Sequence, residues 1–176
     1  MNYSKITISG KICTGKSTLF RRLEQRLQWP TIHAGQIFRD YVKEHGLDLE
    51  KAGEQNEPLT KKVDYQIRDM LKNPKQNLLA DSWMAGIMAD NQLDVLRILL
   101  ICDDKERYRR FAKREKTTFD TGKGMVEERQ KNWLNRIEKI YHRTDIFDPK
   151  NYNLIIDTTN LSADEILQTV LDKLGD

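Results

Sequence analysis

Short apolar runs recur along the chain, at Lys5–Ser9, Thr31–His33, Asn77–Ala80, Val95–Ile101 and Asn153–Asp157, and each is short enough to be a strand. Between them lie longer stretches in which apolar residues return every three or four positions. These are Ser17–Gln28, Gln36–His45, Leu59–Leu71, Asp103–Arg114 and Met125–Arg143. In the first, Leu19, Phe20, Leu23 and Leu27 share one helical face. Ser162-Ala-Asp-Glu165 is a capping box that opens a last helix through Ile166, Leu167, Val170 and Leu174. Asp103 and Asp104 resemble another helix start, so they are read as caps and not as ligands. Strands alternating with helices predict an α/β fold, an open parallel sheet of five strands covered on both faces.

Two segments interrupt the alternation. Leu47–Leu71 is polar and helical, and Glu115–Met125, with Thr117, Thr118, Gly122 and Gly124, reads as a flexible connection. Ligands of an open parallel sheet sit beyond the carboxyl ends of its strands. Insertions after strands two and four are placed to fold over that edge and exclude water.

The first strand runs into Gly10-Lys11-Ile12-Cys13-Thr14-Gly15-Lys16-Ser17, followed by Thr18 and a helical run. Strand, glycine loop and helix start are the context of a P-loop. Its backbone amides cradle phosphates, its lysine reaches the β- and γ-phosphates, and its serine ligates Mg²⁺. Residues 10–18 are therefore the expected nucleoside triphosphate site, with Lys16 on the phosphoryl group and Ser17 on the metal. Gly35 reads as the end of the second strand, with Arg39 one helical turn on, where a guanidinium fork could grip an acceptor phosphate. Asp81 closes the third strand and could hold a Mg²⁺-bound water or act as a base. Trp83 follows and could stack on a base. His33, His45 and His142 show no ligand spacing and read as structural or exposed.

Composition narrows the classes. The chain has 176 residues, 32% of them charged, with a formal net charge of +3. That is one domain without the basic excess of a nucleic-acid binder. Two cysteines, Cys13 and Cys102, form no disulfide framework and suggest a reducing compartment. No apolar run approaches membrane-spanning length, and the N-terminus lacks a signal-peptide core. The expectation is a cytoplasmic monomer acting on small molecules, with no membrane or nucleic-acid partner.

Gly-x-x-x-Arg after the second strand, behind a P-loop, resembles the monophosphate site of nucleoside monophosphate kinases. The run Ala34-Gly35-Gln36-Ile37-Phe38-Arg39, then Lys43 through Glu50, is similar to cytidylate kinases of the short archaeal type. The likeness resumes at Tyr108–Glu115, at Glu128-Arg129 through Arg136 to Tyr141, and at Asn153–Ser162. It implies a P-loop kinase core over 1–176, an acceptor-binding insertion at about 36–72 and a lid at about 115–128. It further implies ATP and Mg²⁺, CMP or dCMP as acceptor, and a phosphate grip by Gly35 and Arg39. Arg110, Arg114, Arg129 and Arg136 match the family's arginines around the transferring phosphoryl group.

The chain departs from that pattern after the third strand. The family carries an arginine there, whereas this chain has Asp81-Ser82-Trp83-Met84-Ala85-Gly86 and no arginine between Arg68 and Arg97. Two alternatives stay open: a P-loop kinase acting on a hydroxyl with Asp81 as base, and a nucleotide-binding regulatory module without turnover.

Overall fold

The computed structural model describes residues 3–46 and 57–175. In chain order the elements are β1 (Lys5–Gly10), α1 (Lys16–Leu27), β2 (Thr31–His33), α2 (Ala34–Glu44), α3 (Glu57–Leu71) and β3 (Leu78–Asp81). They continue with α4 (Ala85–Met88), β4 (Val95–Ile101), α5 (Asp104–Glu115), α6 (Phe119–Tyr141), β5 (Leu154–Asp157) and α7 (Ala163–Leu174). The five strands form one parallel sheet in the order β2-β3-β1-β4-β5.

β1 lies at the centre, and all six of its residues are buried. Its alternating sequence suggests one wet face, but parallel sheets carry helices on both. Ile6 and Ile8 pack with Leu19, Leu23, Leu96, Ile98 and Val170 under α1 and α7. A second cluster joins Val63, Ile67 and Leu71 of α3 to Leu78, Ala80 and Val95. Two of the polar side chains of β1 are satisfied internally, whereas the buried Thr7 Oγ1 has no hydrogen-bond partner. Lys5 pairs with Asp94, while Ser9 Oγ donates to the Ser82 carbonyl at 3.1 Å and accepts from Gly86 N at 3.3 Å.

Two sequence expectations need correction. Gly35 does not end a strand: β2 stops at His33, and Gly35 sits in the first turn of α2. Glu115–Met125 is not a flexible connection either. α5 runs to Glu115, Lys116 adopts a left-handed φ of 54°, and α6 starts at Phe119 behind a Thr118 cap. Gly122 misled the reading, because its role is tertiary. A Cβ there would lie 3.1 Å from the Ala112 Cβ, so glycine lets α6 approach α5 closely. The region expected as a lid, about 115–128, is thus the closed end of a helical hairpin. Of the expected insertion at about 36–72, α2 and α3 are seen, and residues 47–56, including Leu47–Glu50 of the family-like run, lie outside the described residues.

The cap readings hold at Asp103 and Ser162, but Asp104 is no cap: it is the first residue of α5 and accepts from Arg107. Asp103 Oδ1 accepts from Lys105 N and Glu106 N at the start of α5, and the Ser162–Glu165 capping box is present in full.

Candidate active site

A cleft of about 1060 Å³ opens over the carboxyl edge of the sheet. It is large for a single small ligand and suits two side by side. Its floor is the loop from Gly10 to Lys16. Gly10 has φ 150°, and a Cβ there would meet the Leu100 carbonyl oxygen at 2.5 Å; Gly15 has φ 98°. Both positions require glycine. Cys13 adopts a left-handed φ of 62° between them, which curls the loop. Ile12, Cys13, Gly15, Lys16, Ser17 and Thr18 line the cleft. Gly10, Lys11 and Thr14 do not: they shape the loop from behind. Thr14 Oγ1 donates to the Lys11 carbonyl at 3.0 Å.

Lys16 Nζ donates to the Gly10 and Lys11 carbonyls, both at 2.8 Å. Those bonds hold the ammonium inside the loop, where a phosphate can take their place. Burial pulls the Lys16 pKa down, and the Asp81 carboxylate pulls it back up. Cys13 is shifted the other way: burial pushes its thiol up, against Arg114 and Lys16, so it is no activated thiolate.

Two residues that sequence reading missed brace this loop. Arg107 is 1% exposed; Nη1 donates to the Ile12 carbonyl at 3.0 Å and to Gln130 Oε1 at 3.1 Å. Its other donors reach Asp104 Oδ1 at 3.0 and 2.5 Å. Thr158, fully buried after β5, donates to the Thr14 carbonyl at 2.9 Å. The signal for Arg107 lies in its spacing, four before Phe111 on the buried stripe of α5.

The far end of the cleft collects Gly35, Phe38, Arg39, Asp64, Asp81, Ser82, Trp83 and Trp133. Arg39 Nη2 donates to Gln36 Oε1 at 2.8 Å and lies 3.1 Å from His33 Nε2. The Trp133 ring meets Phe38 edge-on at 5.2 Å and Trp83 at 5.9 Å, while Trp83 also meets Phe147 at 5.3 Å. Trp133 is a cleft wall. His33, read as structural, sits inside the site between Arg39 and Asp81.

Asp64 on α3 was not singled out, because a lone aspartate on a polar helix reads as solvated. It is 4% exposed, and it accepts from Tyr141 Oη at 2.8 Å and, at a long 3.5 Å, from Ser82 Oγ. Burial outweighs both bonds and raises its pKa from 3.8 to about 6.

Three of the four expected arginines, Arg110, Arg114 and Arg129, line the cleft. Arg110 is anchored by Glu106 at 3.0 Å and by the Thr158 carbonyl at 2.6 Å. Arg114 pairs with Glu115 at 2.8 Å and lies over the Phe111 ring at 5.1 Å. Arg136 is the exception. Seven residues keep it in line with Arg129 but carry it about 10 Å along the helix. It is buried, outside the cleft lining, with its guanidinium 5.1 Å from the Trp133 ring centre and Nη1 3.5 Å from Thr60 Oγ1.

Among the described residues, no group of three His, Cys, Asp or Glu could hold a metal by itself. Ser17 and Asp81 both line the cleft and offer oxygen donors of the kind Mg²⁺ takes beside phosphates. No helix among the described residues is long and apolar enough to cross a membrane.

A family model described as an AAA domain matches residues 6–131. Over 183 aligned residues the chain is 31% identical to the cytidylate kinase of Methanopyrus kandleri, covering 96% of this chain and 93% of that one. It is 32% identical to the cytidylate kinase of Saccharolobus islandicus strain L.S.2.15, covering 97% and 90%. Shikimate kinase from Bacteroides thetaiotaomicron superposes with a TM-score of 0.63 over 98% of both chains, at 14% identity.

Proposed function

The chain belongs to the cytidylate kinase family, a branch of the P-loop nucleoside monophosphate kinases, and on that premise we propose that it transfers the γ-phosphoryl group of ATP to CMP or dCMP. The observation that carries the reading is one cleft with a phosphate-binding loop at one end and, at the other, an arginine beside an aromatic wall and a buried carboxylate. A nucleotide acceptor needs all three: a guanidinium for its phosphate, ring faces for its base and polar groups for its base edge. The long contact to Ser82 leaves Asp64 Oδ1 able to accept from an exocyclic amino group, which cytosine has and uracil lacks.

In this reading Lys16 leaves the Gly10 and Lys11 carbonyls and stabilises the phosphoryl group in transfer. Arg110, Arg114 and Arg129 neutralise charge on its equatorial oxygens. Arg136 acts indirectly, by supporting Trp133. Ser17 and Asp81 would hold Mg²⁺, which would supply positive charge to offset that of the phosphates during transfer. An acceptor phosphate is already ionised near neutral pH, so attack on the γ-phosphorus needs no protein base.

A second reading, a hydroxyl acceptor with Asp81 as base, is favoured by one observation. Asp81 is buried beside His33 at the acceptor end, where no β3 arginine stands. A coupled ADP assay with CMP, dCMP, UMP, AMP and a panel of hydroxyl acceptors separates the two. We expect CMP or dCMP to give the highest kcat/KM. Preference for a hydroxyl acceptor, abolished by Asp81→Asn, would establish the second reading, and no ADP with any acceptor would leave a binding module.

A further inference from the structure

His33 closes β2, and the strand register sets it directly opposite Asp81. Its Nδ1 lies 2.9 Å from Asp81 Oδ2, and its Nε2 lies 3.1 Å from Arg39 Nη2. Phe20 stacks on the imidazole at 5.1 Å. Gly35 lies beneath: a Cβ there would come within 3.4 Å of the His33 ring and 3.3 Å of Arg39 Nη1. The imidazole is therefore held on one face by a ring and at Nε2 by a guanidinium, while the Asp81 carboxylate lies close to Nδ1 but off the line of a hydrogen bond.

A guanidinium has no acceptor, whereas a neutral imidazole has one donor nitrogen and one acceptor nitrogen. For Arg39 to donate to Nε2, the ring proton must sit on Nδ1, facing Asp81. We infer that His33 is the positioning residue for Arg39: fixed by the β2–β3 register and stacked on Phe20, it offers a lone pair that holds the guanidinium fork toward the acceptor phosphate. The inference rests on Arg39 gripping that phosphate, as in the function proposed above. It also gives the cleft a substitute for the missing arginine after β3. One guanidinium held in place loses less freedom on binding than a free one does.

Imidazole nitrogen NMR on the ¹⁵N-labelled protein without substrates tests the tautomer. We expect His33 protonated on Nδ1, with an Nε2 resonance that moves in Arg39→Ala. A proton on Nε2, or a resonance indifferent to Arg39→Ala, would overturn the inference whatever the acceptor is. Kinetics supply the second arm. His33→Ala should raise KM for the acceptor about tenfold while kcat and KM for ATP stay within twofold. Equal losses in kcat and both KM values would overturn the inference by indicating a merely structural histidine. If wild-type protein phosphorylates no monophosphate, the proposed function falls and the NMR arm alone decides the His33–Arg39 contact.

Discussion

Replacing Asp64 by asparagine should stabilise this protein at pH 8 while impairing it. The carboxyl is 4% exposed, and its pKa is raised from 3.8 to about 6. A raised carboxyl pKa means that the folded state holds the proton more tightly than the unfolded chain. The penalty for ionising Asp64 is therefore absent below about pH 3.8, grows through the interval to about 6, and is complete above it. At about 1.4 kcal/mol for each pH unit of that interval, the full penalty is about 3 kcal/mol. Asparagine removes the charge and keeps a carbonyl to accept from Tyr141, but its amide needs a partner, and Ser82 Oγ is the one nearby. Allowing about 1 kcal/mol for an imperfect fit, the net gain at pH 8 is about 2 kcal/mol. For a chain of this length that corresponds to a Tm increase of roughly 4–8 °C. Near pH 4.5 wild-type Asp64 is largely neutral, so the gain should vanish. Paired thermal melts of both proteins from pH 4.5 to 8, followed by far-UV circular dichroism, give the difference curve directly. A Tm difference that does not change with pH, or a variant less stable at pH 8, would refute the assignment of Asp64 as a buried charge.

Three further outcomes follow from contacts around the loop and sheet. Arg107→Ala should cost about 2–3 kcal/mol in urea unfolding and raise KM for ATP with little change for the acceptor, because Arg107 braces the Ile12 carbonyl. Gly10→Ala places a methyl 2.5 Å from the Leu100 carbonyl oxygen, so nucleotide binding measured by calorimetry should be lost. Gly86→Ala drives a Cβ to 2.4 Å from the buried Tyr152 ring; it should lower stability by about 1–3 kcal/mol, and normal stability would show that Tyr152 moves freely.

The strands and the phosphate loop were legible because their signals are local. Val95–Ile101 announces itself by seven consecutive strand residues, and Ser162 with Glu165 by cap spacing. What escaped was set by distant partners. Gly122 looks like a hinge until Ala112 is seen against it. Arg107 hides among neighbouring basic residues, although it is among the most buried large side chains described. Asp64 and His33 are ordinary polar letters whose meaning comes from Tyr141, 77 residues away, and from the β2–β3 register. The arginines were legible as a set but not individually: their sequence spacing gives direction around the helix axis, and only the packed helix shows which one Trp133 covers.

The Thr158–Thr14 hydrogen bond joins residues 144 positions apart. The phosphate loop is made before four of the five strands, yet the strand that feeds it pairs with β3 and β4, and Thr158 arrives after β5. On the ribosome, the nucleotide-binding surface is therefore among the last parts to mature, since domains fold as units once their strands have emerged. A nascent or truncated chain ending before Thr158 carries the whole glycine motif without a braced loop. ATP thus distinguishes a chain that has passed Thr158 from one that has not: it stabilises the first by mass action and gives the second no such protection.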